Sequence, residues 1–314
     1  MNQRKCAIIG AGNVGATTAF SLMQARLFSQ IVLIDLDHAR AEGEAADLSH
    51  AMPLLAPTEI YAGSYEDLAD AAIIVITAGT AKIKGGTRLD LVHENYAIFK
   101  RIIESICKYN NDAILIVVTN PVDILTQVTR RLSGFPRGRV IGSGTVLDTA
   151  RLKFLLGNKL GVDNRQVHAF IIGEHGDSEL PVFSSANISG IDLDHFCNDR
   201  CAECDRADLQ SLFEQTRDSA YQIVRQKGST CYGIAEATRR IISAILFDES
   251  AILPVSVDPE GAFGIEDLSI SLPALIGKEG IKRVLPLPLS ASELTLLQHS
   301  AARMREVLDS VMPH

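Results

Sequence analysis

The chain has 314 residues, of which 46% are hydrophobic and 22% charged, and its formal net charge is −8. This composition excludes a disordered or fibrous chain, and the negative field repels phosphate backbones, which argues against a nucleic-acid binder. At about 100–200 residues per domain, the length allows two domains.

Arg4-Lys5 followed by an uncharged stretch from Cys6 to Met23 has the outline of a signal peptide. That stretch also holds Gly10, Gly12, Asn13, Gly15, Thr17 and Thr18, so it is too polar and glycine-rich for an efficient apolar segment. The six Cys are too sparse for a disulfide framework. A cytoplasmic protein without membrane association is expected.

Short apolar runs at Ala7–Ile9, Ile31–Ile34, Ile73–Thr77, Ile114–Val118 and Val140-Ile141 suit strands buried on both faces. Helix candidates lie between them, at Ala16–Ser29 and Leu91–Tyr109. The alternation predicts a doubly wound α/β domain with a parallel sheet over residues 1–142. Beyond it, the spacing predicts a helix over Leu147–Leu160, a strand pair at Val167–Ile172 and Leu180–Ser185, and a long terminal helix starting near Ser290. Ser290 and Glu293 form a capping pattern, and Leu294, Leu297, Ala301, Met304, Leu308 and Val311 recur at helical spacing. Without a linker between them, the two halves should pack together.

Gly10-Ala11-Gly12-Asn13-Val14-Gly15 is a G-x-G-x-x-G that follows a predicted strand and opens a helix. The first glycine serves the turn, the second the approach of a pyrophosphate, and the third the packing of helix on strand. The helix N-terminus offers unpaired N–H groups to that anion. Asp35, 20 residues beyond Gly15 at the end of the next strand, can accept from both ribose hydroxyls and repels a 2′-phosphate. NAD is therefore favoured over NADP, although Arg40 offers a charge that could hold a 2′-phosphate.

His175 lies between glycines in Gly173-Glu174-His175-Gly176-Asp177, after an apolar run. It suits acid–base work near neutral pH, and a loop histidine with a satisfied hydrogen bond is the bland alternative. Asp148 and Arg151 share one face of a predicted helix. The carboxylate suits orientation of an imidazole and the guanidinium suits a substrate carboxylate, but spacing alone equally describes an intrahelical ion pair. Thr80–Arg88 carries three cations and Gly85-Gly86, and reads as a lid or as a solvated basic loop.

Taken with Thr77-Ala78-Gly79, Gly85–Leu91, Thr119-Asn120-Pro121-Val122-Asp123, Gly142–Arg151 and Gly173–Glu179, these motifs resemble NAD-dependent L-lactate dehydrogenases of the lactate/malate dehydrogenase family over nearly the whole chain. The resemblance implies a Rossmann-type doubly wound domain over 1–142 that binds NAD and an α+β substrate domain over 143–314. It implies His175 as proton donor and acceptor oriented by Asp148, Arg151 on the substrate carboxylate, and Arg88 polarising the keto group. Asn120 would bond substrate and nicotinamide, preceding a cis proline, and Thr230 would line the substrate pocket. Gly10, Gly12, Asn13, Val14, Gly15, Asp35, Arg40, Tyr65, Gly79, Thr80, Asn120 and Ser143 would hold NAD.

A small 2-keto or 2-hydroxy acid is the implied substrate, with no metal, and a homotetramer or dimer the implied assembly. Lys153 and His168 stand where some bacterial members bind fructose 1,6-bisphosphate with an arginine and a histidine. Lys82 departs from the family, since lactate enzymes usually carry a neutral glutamine there and malate enzymes an arginine. A malate or other L-2-hydroxyacid dehydrogenase, and a catalytically silent NAD sensor, are the rival readings. Cys197, Cys201 and Cys204 near His195 could be read as a zinc set, which the family lacks; a surface excursion is the plainer reading.

Overall fold

The computed structural model describes residues 2–55, 57–80, 88–198 and 204–312. The first half runs β1 (Asn2–Ile9), α1 (Asn13–Gln24), β2 (Gln30–Ile34), α2 (His38–His50), β3 (Glu59–Ala62), β4 (Ala71–Ile76), α3 (Arg88–Tyr109), β5 (Ile114–Val117), α4 (Val122–Ser133) and β6 (Val140–Gly142). These strands pair in parallel in the order β6-β5-β4-β1-β2-β3. Every residue of β4 and of β5 is buried, which requires both faces of the sheet to be covered. The strand order reverses between β1 and β4, and at such a switch point the loops leaving the carboxyl ends part to form a crevice.

Two elements differ from the reading of the sequence. The helix predicted over Ala16–Ser29 begins at Asn13 and ends at Gln24, because Arg26 takes a left-handed φ of 55° and turns the chain toward β2. The strand β3 lies outside the predicted set. As the sheet edge it buries only Ile60 and so has no continuous apolar run.

The second half runs α5 (Val146–Leu160), β7 (Val167–His168), β8 (Ile171–Ile172), β9 (Leu180–Pro181), β10 (Asn187–Ile188), β11 (Ile191–Asp192), α6 (Leu193–Asn198), α7 (Arg206–Lys227), α8 (Tyr232–Leu246), β12 (Ala251–Val257), β13 (Ile270–Gly277), β14 (Gly280–Val284) and α9 (Ala291–Val311). The predicted strand pair divides. Ile171-Ile172 does pair with Leu180-Pro181, but Val167-His168 pairs with Asn187-Ile188 in a separate three-stranded sheet. The antiparallel β12–β13–β14 meander joins the first sheet where Ser256 pairs with Gly142 of β6, so the main sheet continues across residue 142. The helix α9 starts as the capping pattern requires, with Ser290 as N-cap and a reciprocal bond from Glu293. Leu297, Ala301, Met304, Leu308 and Val311 are buried against the main core. Among the described residues no helix is long and apolar enough to cross a membrane.

Candidate active site

The glycine-rich turn lies at the switch point. Gly10 has φ +107°, and a Cβ there would lie 2.5 Å from the Ala78 amide nitrogen. A Cβ on Gly15 would overlap the Gly10 carbonyl, so α1 can approach β1 this closely only without a side chain. At Gly12 a Cβ would meet nothing within 4 Å: the space in front of this turn is open. Gly12 is also the N-cap of α1 and makes no side-chain cap bond, which leaves helix amides facing that space.

The turn borders a cavity of about 500 Å³ whose walls include Gly10, Gly12, Asp35, Arg40, Tyr65, Gly79 and Thr80. Asp35 is held there by the Ala11 amide, which donates to Oδ2 at 2.6 Å, and by the Asp37 amide, which donates to Oδ1 at 3.0 Å. The Arg40 Nε donates to the Ala11 carbonyl at 3.0 Å, which ties that guanidinium to the turn. Open space before Gly12, a backbone-held carboxylate and a cavity of this size fit an adenine dinucleotide.

A second cavity of about 290 Å³ is lined by Asn120, Asp148, Arg151, His175 and Glu179 among others. The Thr145 hydroxyl donates to the Ile171 carbonyl, and the Ile171 amide donates to Thr149 Oγ1 at 2.9 Å. These bonds fix α5 against β8 and bring Asp148 under the loop that follows. That loop is anchored at successive residues. Gly173 exchanges backbone bonds with Ser271 of β13, the Glu174 amide donates to Ser300 Oγ of α9 at 2.8 Å, and the His175 amide donates to Asp123 Oδ2 of α4 at 2.7 Å. The loop that carries the imidazole is therefore held by three elements, β13, α9 and α4. The imidazole Nδ1 lies 2.7 Å from Asp148 Oδ2, while Arg151 donates to Asp148 Oδ1 at 2.8 Å. The intrahelical ion pair and the arrangement around the histidine thus coexist on one carboxylate.

The charges reinforce this geometry. Burial opposes a charged imidazole, but Asp148, with smaller contributions from Glu179 and Asp123, pushes His175 up to about 9. Burial also pushes Asp148 up, but the charge and hydrogen bond of His175 together with Arg151 hold it below the usual carboxylate range. One ligand atom each from Asp148, His175 and Glu179 lies within 4.8 Å of the others. Two of the three are already bonded to each other and Arg151 adds a cation, so the cluster suits a proton better than a metal ion.

Of the cofactor residues read from the sequence, Asn13, Val14, Gly15, Asn120 and Ser143 are not among the walls of the larger cavity. The Asn13 side-chain Nδ2 instead donates to Ser229 Oγ at 2.9 Å, and Asn120 lines the smaller cavity, followed by a cis bond to Pro121. Thr230 does not line the smaller cavity either; Arg217, Ala220 and Tyr221 of α7 do. Lys82 lies outside the described residues, as does the Arg88 side chain. Lys153 is half-buried, which pushes its ammonium down, and His168 is exposed on β7. Cys201 also lies outside the described residues. Burial raises the thiols of both Cys197 and Cys204, the latter to about 12, which disfavours the thiolates a zinc site needs.

Three residues beyond the sequence reading complete the site. Asp123 and Glu179 are buried carboxylates in quoted motifs whose placement required the long-range pairing of α4, α5 and β8. Asn95 is fully buried on α3. It accepts from the Thr80 amide at 2.8 Å and donates to the Thr80 and Asn120 carbonyls, each at 3.0 Å. A buried asparagine on a helix otherwise patterned as amphipathic was the available signal.

Comparison with known proteins agrees with this architecture. Residues 4–142 match the family model "lactate/malate dehydrogenase, NAD binding domain", and residues 145–313 match "lactate/malate dehydrogenase, alpha/beta C-terminal domain". The chain is 49% identical to an L-lactate dehydrogenase of Acetivibrio thermocellus, covering 98% of this chain and 97% of the relative. It is 50% identical to one of Priestia megaterium, covering 98% and 96%. The crystal structure of a minor L-lactate dehydrogenase from Enterococcus mundtii in a ligands-bound form superposes with a TM-score of 0.96 at 36% identity over the whole of both chains. The two family models together cover nearly the whole chain, and the fold agrees with them: the chain belongs to the lactate/malate dehydrogenase family.

Proposed function

We propose that this protein is an NAD-dependent L-lactate dehydrogenase that reversibly reduces pyruvate to L-lactate. The observation that carries the reading is the convergence of His175, Asp148 and Arg151 on one cavity, next to the nucleotide cavity at the switch point. Residues 1–142 hold the cofactor, and residues 143–314 supply most of the substrate site.

When bound, a nicotinamide cofactor would supply or accept the hydride at the substrate carbon. Arg151 receives the substrate carboxylate on guanidinium N–H groups that its bond to Asp148 leaves over. Asp148 on Nδ1 fixes the imidazole tautomer and leaves Nε2 for the substrate oxygen. In reduction, protonated His175 gives its proton to the ketone oxygen; in oxidation, neutral His175 takes the hydroxyl proton. Arg88 is assigned to stabilise the charge developing on that oxygen. Asn120 bonds the substrate, and Lys82 is the residue taken to distinguish its side chain.

Lys82 supports a second, weaker activity on oxaloacetate, because a cation there pairs with a second carboxylate. Lys153 and His168 are proposed to take a phosphate of fructose 1,6-bisphosphate, held weakly because an ammonium lacks the planar fork of arginine. A cytoplasmic homotetramer is proposed for the assembly. Light scattering tests the tetramer, and a pyruvate half-saturation unmoved by the bisphosphate would remove the effector. The active-site reading is tested by His175→Asn. Turnover should fall by about 10²–10⁴-fold while NADH still binds, and activity within tenfold of the unmodified protein would refute it.

A further inference from the structure

Glu179 is a carboxyl group with the wrong neighbours for a charge. It is 6% exposed, and its Oε1 is fully buried without a hydrogen-bond partner among the described residues. It lies in the same small cluster as Asp148 and His175, and it forms part of the wall of the catalytic cavity. Asp148 is already committed as the carboxylate that balances His175 and Arg151. Among the described residues no cation forms an ion pair with this second carboxylate, and an unpaired buried charge is far costlier than a neutral acid.

We propose that Glu179 stands beside the His175–Asp148 pair as an uncharged carboxylic acid, and that its neutrality leaves the His175–Asp148–Arg151 group one net positive charge with which to hold the carboxylate of a 2-keto acid. The inference rests on the lactate dehydrogenase reading above. With Glu179 neutral, Arg151 and protonated His175 outweigh Asp148 by one charge. An ionised Glu179 cancels that excess and repels the incoming carboxylate. Glu179 acts on the substrate through His175 and Arg151, which makes it a positioning residue. Burial, followed by the charge of Asp148, pushes its carboxyl up to about 8, against the smaller opposing pull of His175, the Gly176 amide and Arg151.

The groups around it settle which charges matter. On the catalytic side stand Asp148 and Arg151 of α5, His175 of its own loop and Arg217 of α7, with Asp123 behind the histidine. Glu179 also borders an outer groove of about 800 Å³, where Arg206, His299 and Arg303 are interspersed with Asp177, Asp194 and Glu293. That mixture offers no dominant cation to hold Glu179 ionised, and the groove gives its proton a route to water.

The test combines infrared spectroscopy with kinetics. Difference spectra of the unmodified protein between about pH 6 and pH 9.5 should lose a protonated-carboxyl C=O band, and that loss should be missing in Glu179→Gln. The pyruvate KM of the unmodified protein should climb toward about a hundredfold per pH unit at the alkaline end, because two groups ionise, and by about tenfold in Glu179→Gln, where only His175 does. Should the glutamine variant not fold, Glu179→Met serves the same comparison. An identical band in protein and variant, or equal KM slopes, overturns the proposal. If the unmodified protein reduces no pyruvate, the lactate reading fails while the infrared band still decides the state of Glu179.

Discussion

The main-chain amide of His175 is held by Asp123, whose Oδ2 accepts from it at 2.7 Å while Oδ1 accepts from the Ser271 hydroxyl at 2.8 Å. Asp123 is fully buried at the start of α4 in the first half of the chain, so His175, the proposed acid–base residue of the second half, is positioned from the nucleotide-binding half. Removing the acceptor leaves two buried donors unmatched, at about 1–3 kcal/mol each. Asp123→Ala should lower both the melting temperature and kcat, whereas Asp123→Asn, which keeps an acceptor, should recover most of both. Equal loss in the two variants would show that the charge, not the hydrogen bond, is what matters.

Asn95 makes the corresponding link on the other side of the crevice, joining Thr80 at the cofactor cavity to the main chain of Asn120 at the catalytic cavity. Asn95→Ala should weaken NADH binding and raise the pyruvate KM together. Titration of NADH by fluorescence alongside steady-state kinetics checks this, and a change in only one of the two would break the proposed coupling.

Asp35, held at the cofactor cavity by the Ala11 and Asp37 amides, is proposed to set cofactor choice by repelling a 2′-phosphate. The unmodified protein should use NADH far better than NADPH, and Asp35→Ser should narrow the gap. Equal use of the two by the unmodified protein would remove the assignment.

The pH dependence follows from His175, which folding raises from 6.5 to about 9. A raised pKa means that the native state holds the proton more tightly, so the imidazolium–Asp148 stabilisation is complete below pH 6.5 and is lost as pH rises through 9. Pyruvate reduction, which needs the imidazolium, should fade over the same range, and lactate oxidation should rise. Thermal unfolding followed against pH should decline less steeply for Asp148→Asn than for the unmodified protein. Parallel profiles would contradict the pairing.

Much of this was legible in the sequence because the signals are local. The buried parallel strands, the glycine turn with Asp35, and the Ser290–Glu293 cap each depend on neighbours within a short stretch. His175, Asp148 and Arg151 could be named as well, but their meeting depends on α5 being tied to β8 through Thr145 and Thr149. The continuation of the main sheet into β12–β14 was not legible, since it hangs on a Ser256–Gly142 pairing 114 residues apart in the chain. Glu179 and Asn95 escaped for the same reason: a polar residue reveals its role only once the groups denied to it are known.

The most direct test is the ratio of kcat/KM for pyruvate to that for oxaloacetate, measured with NADH in the unmodified protein and in Lys82→Gln. The account predicts that pyruvate is preferred, that oxaloacetate shows a measurable side activity, and that Lys82→Gln widens the preference for pyruvate. A strong preference of the unmodified protein for oxaloacetate, or no turnover of pyruvate, would contradict it.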